Sequence, residues 1–206
     1  MRPAGFRTQL VALAVAALAI SVPAGADAAD ATDLMAKAER LLGDGDAAAA
    51  IATMDEAVSA FWDTLPLHIR TAEFVEPGSV TQFSQYRPVS GAFRSGDVMS
   101  VYLEPVGYGL SPAGDRQTVD ISAGIEIRSP GGIVYARAPG FAQLGWTGRT
   151  GTRELHGTLT LEVPALAPGS YELKIDLTDG ATGKQTEVNL PFAVEETPED
   201  AASDQS

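Results

Sequence analysis

Histidine, cysteine and paired carboxylates are the usual carriers of chemistry, and this chain is thinly supplied with the first two. His68 and His156 are its only histidines, and it has no cysteine. Disulfides, thiolate metal sites and thiol nucleophiles are therefore excluded. A Ser-His-Asp triad or a histidine-based metal site has little to draw on. No H-E-x-x-H, G-x-S-x-G, glycine-rich phosphate loop or calcium-loop spacing occurs. His156, between Glu154 and Thr158 on the wet side of an alternating segment, reads as a surface histidine, and His68 as a structural residue at a helix-to-strand corner. Carboxylates are plentiful. Glu104, Asp115 and Asp120 supply candidates for a glycosidase-like pair, which needs two acids about 5 to 10 Å apart, but each also reads as an ordinary strand-end, loop or outward-facing acid. A loop calcium site using Asp115, Asp120 or the Asp176/Asp179 turn is chemically reasonable, with no spacing to enforce it. The sequence assigns no catalytic residue, metal ligand or cofactor.

Aromatic and arginine residues point elsewhere. Tyr108, Phe141 and Trp146 lie in stretches without sustained periodicity, accompanied by Arg149 and Arg153. Trp, Tyr and Arg are the usual contributors to interface hot spots. The five residues are read as a binding surface on loops at the ends of the domain, with Phe141 and Trp146 plugging an end or packing on the helices as the alternative.

The elements that position these residues follow from periodicity. Residues 1–28 have the form of a cleaved secretory leader: Arg2 and Arg7, an apolar run from Leu10 to Val22, and Ala26-Asp27-Ala28 as a cleavage site. At 13 residues that run is short for a span, which needs roughly 20. Periplasmic or secreted localisation in a bacterium is the expectation. Residues 29–66 predict two helices joined by Gly43-Asp44-Gly45, the first capped by Asp30 or Thr32 and the second by Asp46. Ile51, Met54, Val58 and Phe61 recur at helical spacing as the apolar face of the second, and the pair is expected to pack against the rest of the protein.

Residues 67–194 change to the period of strands. Strands are expected over Leu67 to Val75, weakly over Phe83 to Val89, and over Val98 to Glu104, where Pro105 should end pairing. Val119, Ile121, Ala123, Ile125 and Ile127 form a long apolar column, turned by Ser129-Pro130-Gly131-Gly132 into Ile133 to Ala136. Arg137 to Thr152 reads as a long loop. Alternation resumes at Leu155 to Val163 and is cleanest in Tyr171, Leu173, Ile175 and Leu177, opposed by Glu172, Lys174, Asp176 and Thr178, with Val188 to Val194 returning antiparallel. Residues 195–206, with five acids and no base, predict a disordered tail. About eight strands with no helix between them argue for a mainly β protein, a two-sheet antiparallel sandwich behind a helical hairpin. The chain's 27 acidic against 14 basic side chains would repel nucleic acid phosphates and anionic membrane surfaces.

Two resemblances bear on this reading. Ala38, Leu41, Leu42, Gly43, Asp44, Ala50, Ala57 and Phe61 make the hairpin similar to a single tetratricopeptide-type unit over roughly residues 31–66. Leu166-x-Pro168-Gly169-x-Tyr171-x-Leu173-x-Ile175-x-Leu177-x-Asp179 and Leu190-Pro191-Phe192-x-Val194 resemble the last two strands of bacterial immunoglobulin-like domains, and Val98 to Tyr108 resembles uncharacterised exported proteins of that build. The resemblance implies an immunoglobulin-like fold and no substrate. The functional expectation is a non-enzymatic exported binding or scaffold module for a protein or cell-envelope partner. The alternatives are a hydrolase accessory domain or enzyme subunit using loop carboxylates, and an inhibitor or chaperone that adds a strand to a sheet edge.

Overall fold

Two helices lead into strands in a computed structural model that describes residues 26–196. The expected tail beyond residue 196 and nearly all of the expected leader lie outside the described residues. Helix α1 (Ala26–Gly43) begins ahead of the expected caps, so Asp30 and Thr32 lie within it. It stops at Gly43, and Gly45 takes the positive φ of 85° that the turn requires. Helix α2 (Ala47–Thr64) is capped by Asp46, whose carboxylate accepts from the Ala49 amide at 3.1 Å. The helices meet through Ala31 and Ala38 on one side and Ala50, Thr53 and Ala57 on the other. Such small side chains let the backbones approach closely. Ile51, Met54, Val58 and Phe61 are consequently exposed, contrary to the expectation that they form the buried face. The expected packing on the β region is confined, among the described residues, to the carboxyl end of α2.

Nine strands follow among the described residues. β1 (His68–Val75), β3 (Val98–Val106) and β7 (Gly157–Glu162) form an antiparallel three-stranded sheet in the order β1-β3-β7. A second sheet runs β2-β9-β8-β5, from β2 (Ala92–Phe93) through β9 (Gln185–Val194) and β8 (Gly169–Asp179) to β5 (Arg116–Arg128). β4 (Ser111–Ala113) and β6 (Val134–Gly148) also pair with β5. Both sheets contribute to one core, in which Met99, Val101 and Leu103 pack with Ile121, Ile127, Leu173, Ile175 and Leu177. The alternation of β8 and β9 is as the sequence predicts.

Three expectations fail. Phe83 to Val89 is not a strand: two isolated bridges, Val75 with Pro88 and Gln82 with Gln85, are its only ladder contacts. Pro105 does not end pairing, because β3 continues to Val106 alongside β1. β7 stops pairing at Leu103, so Pro105 sits where β3 has a single neighbour and a missing N–H is tolerated. Arg137 to Thr152 is mostly strand, not loop. β6 pairs with β5 from Gln117↔Gly148 to Arg128↔Val134, with a bulge at Pro139-Gly140-Phe141 that breaks its period. No helix among the described residues is long and apolar enough to cross a membrane.

Candidate functional site

Where α2 meets the end of the sheets, two walls enclose a cleft of about 480 Å³. One wall is helical: Asp55, Ser59, Trp62 and Asp63 fall on one side of α2 at helical spacing. The other is loop and strand end: Leu110, Gln117 and Thr150 to Arg153. Trp62 is the hinge pin between them. Its indole N–H donates to the Tyr108 carbonyl at 2.8 Å, and its ring meets the Tyr108 ring edge-on at 5.2 Å. The Arg153 guanidinium lies 6.0 Å from the Trp62 ring centre and donates to the Ser59 hydroxyl at 2.8 Å. Tyr108 is buried beneath, its hydroxyl donating to the Thr152 carbonyl at 3.0 Å, and burial raises its pKa.

Lys184 fixes the floor of this junction. Its ammonium donates to the carbonyls of Asp63 (3.2 Å), Leu65 (2.7 Å) and Gly107 (3.1 Å), so a cation meets the carbonyl end of α2 and the chain that crosses it. The approach is close enough to demand glycine. A Cβ on Gly107 would lie 2.2 Å from the Pro66 carbonyl oxygen, and its φ is 75°.

The residues singled out by sequence divide here. Tyr108 and Arg153 come together around Trp62, and Arg149 is exposed beside the cleft next to Thr150. Phe141 and Trp146 are elsewhere, half-buried on β6 and packed against the core. Trp146 stands opposite Val119 and folds along its own strand, where a Cβ on Gly148 would come within 2.3 Å of its ring. The acids and serine of α2 were missed. Their signal was the spacing of Asp55, Ser59 and Asp63, which reads equally well as a solvated helix face.

The three candidate acids occupy different places in the sheets. Asp115 lies in the β4–β5 turn, Asp120 is exposed on β5, and Glu104 is buried on the outer face of the three-stranded sheet. There it accepts from Tyr102 Oη (2.7 Å), Arg70 Nε (3.0 Å), Thr71 Oγ1 (3.0 Å) and Ser84 Oγ (3.2 Å). Burial alone would raise its pKa, but these hydrogen bonds prevail and hold it below the usual carboxylate value. Burial and the neighbouring carboxylate push Tyr102 up to about 12. The segment between β1 and β2 is thereby fastened across the sheet. The Ser84 amide donates to Tyr102 Oη at 2.8 Å, Tyr86 stacks on Tyr102 at 4.2 Å, and Ser84 is held at a φ of 59°. His156 completes the cover, 6.1 Å from Phe83 and 5.8 Å from Tyr102 between ring centres. The buried Asp179 is also internally engaged, accepting from the Gly109 amide at 2.8 Å, the Ala181 amide at 3.1 Å and the Thr182 hydroxyl. Among the described residues, no three His, Asp or Glu side chains converge as metal ligands would.

No family model matches the chain, and no curated protein matches it. Similar solved structures include CopC from Methylosinus trichosporium OB3b, at 20% identity over 61% of this chain and 94% of that one, with a TM-score of 0.30. A family 123 glycoside hydrolase from Clostridium perfringens is 8% identical over 64% of this chain and 28% of its own, with a TM-score of 0.36. Spo0M, a sporulation control protein from Bacillus subtilis, is 10% identical over 68% of this chain and 56% of its own, with a TM-score of 0.34. With TM-scores this far below 0.5, these similarities define neither a shared fold family nor a shared activity.

Proposed function

We propose that this chain is an exported, non-enzymatic binding or scaffold module, a tetratricopeptide-like hairpin joined to an immunoglobulin-like sandwich, and that it recognises a protein or cell-envelope partner at the junction cleft. The observation that carries this reading is the cleft itself. Its walls come from two separate parts of the fold and combine the aromatic Trp62, the guanidinium of Arg153, two exposed carboxylates and several hydroxyl and amide groups. That mixture suits an extended polar segment better than a small apolar ligand. Export is supported by the form of residues 1–28. A non-catalytic role is supported by Glu104, whose oxygens are occupied by four donors and whose ionised form is favoured, a poor starting point for a general acid.

A photocrosslinking residue placed at Leu110 or Thr150 tests the reading. Adducts should form with one partner in the cell envelope and be lost in the Asp55→Ala/Arg153→Ala variant. No adduct, or adducts equal to those from a crosslinker at the distant Pro77, would contradict it.

A second reading, strand addition, is favoured by β6. Among the described residues, this 15-residue strand pairs only with β5. Beside it opens an apolar groove of about 290 Å³ lined by Ile125, Ile127, Ala136, Ala138, Phe141 and Leu161. Ala136 and Ala138 leave unfilled the space that larger side chains would occupy, and an added strand would insert alternate side chains there.

A further inference from the structure

The hairpin carries a surface separate from the junction cleft. Leu42 on α1 and Ile51 and Met54 on α2 line an apolar groove of about 230 Å³ between the helices, and Leu42 and Ile51 are 64% and 65% exposed. Val58 and Phe61 continue the α2 side of this stripe at helical spacing. The residues buried between the helices are alanines and Thr53, with Leu34 and Leu41 half-buried, and Leu42, Ile51 and Phe61 are left more than half exposed. A two-helix unit with such a face is incomplete in the way that a single solenoid repeat is incomplete.

Charge identifies what would complete it. Residues 30–64 carry eight acidic side chains and two basic ones, Lys37 and Arg40. Among the described residues, none of these charges takes part in an ion pair, whereas every ion pair present lies in the β region. Glu39 lines the groove itself, and Asp44 lies in the turn that closes one end of the hairpin. An apolar channel with Glu39 in its lining, on a hairpin whose eight acids and two bases leave a net charge of −6, matches a helix with one apolar stripe and lysine or arginine along its flanks. We propose that the hairpin groove docks a basic amphipathic helix of a partner protein. Met54 supplies the adaptable contact such docking uses.

The test titrates the purified chain with a labelled synthetic peptide of 18 residues, with leucines at helical spacing and lysines elsewhere. A matching peptide with glutamate for every lysine serves as comparator. Anisotropy follows binding, circular dichroism follows helix formation, and sedimentation follows the protein's association state. The lysine peptide should bind as a helix, and Leu42→Ser/Ile51→Ser should weaken it at least about tenfold. Raised salt should weaken it further. Because both substituted residues are exposed, the variant should keep the parent's circular dichroism. Glu39→Lys should weaken the lysine peptide and improve the glutamate one. Absence of binding, equal affinity for the two peptides, or unchanged affinity in the Leu42→Ser/Ile51→Ser variant would overturn the proposal. So would a dimer that forms without peptide and dissociates in that variant, because the occupant would then be a second copy of the chain.

Discussion

The sheets and the hairpin solve the problem of apolar side chains in opposite ways. In the sheets, Leu173, Ile175, Leu177, Ile121 and Leu103 are wholly buried, and of the buried acids Glu104 and Glu126 are matched by Arg70 and Arg137, while Asp179 is held by two amides and a hydroxyl. In the hairpin, alanines and Thr53 are buried, while Leu42, Ile51, Met54 and Phe61 are exposed among acids that form no ion pair with the described residues. The β region is therefore supplied with its own core, although among the described residues β6 keeps one open edge. The hairpin is not, and its tie to the rest is a short one through Trp62, Arg153 and Lys184.

The largest difference should come from truncating the same kind of residue in each region. Leu173→Ala should destabilise the protein by about 2–5 kcal/mol in urea unfolding, through lost transfer energy and a cavity. Ile51→Ser should change that stability by less than about 0.5 kcal/mol, as an exposed substitution does. If Ile51→Ser destabilised as Leu173→Ala does, the contrast would be lost.

Glu104→Gln comes next, at about 1–3 kcal/mol, because it keeps the shape but removes the charge that Arg70, Thr71, Ser84 and Tyr102 serve. Its pH dependence carries a sign. A carboxyl held below its unfolded value contributes stability that is present above the unfolded pKa, about 4.3 for Glu, and is lost as pH falls through the lower folded value. The difference in stability between the parent and Glu104→Gln should therefore be constant near neutrality and shrink below about pH 4. A difference that grew on acidification would show that the cluster favours the protonated form.

Lys184→Met should have a smaller effect, on the order of 1 kcal/mol, since several carbonyls lose one shared cation. It should act locally, speeding amide exchange at the end of α2 and leaving the centre of β8 unchanged. Exchange that rose equally in both would mean the two regions unfold as one.

How much of this was legible depended on whether a residue's partner was near it in sequence. The ribbon of Tyr171 to Leu177 was plain because one face is core and the other is wet, and period two follows directly. β6 was hidden because its inward positions include Ala136, Ala138 and Ala142, which carry little apolar contrast, and because the Pro139-Gly140 bulge shifts the period midway. Glu104 reads from sequence as a strand-end acid, and only the segment carrying Ser84 and Tyr86, folded over it and Tyr102, makes the two interior. On α2, Ile51, Met54, Val58 and Phe61 were recognised as one stripe, but hydrophobicity alone favours them over Ala50 and Ala57 as the buried face. Close helix approach reverses that choice. The cleft joins a helix to a distant loop through Trp62 and Arg153, a pairing that no local pattern encodes.

Amide hydrogen exchange of the purified chain, measured with and without the lysine-rich amphipathic peptide, tests the central contrast most directly. The account predicts that α1 and α2 exchange faster than β8 in the free protein and slow markedly when the peptide is present, with β5 and β8 unaffected. Equal protection of hairpin and sheets in the free protein, or peptide-induced protection confined to the sheets, would contradict it.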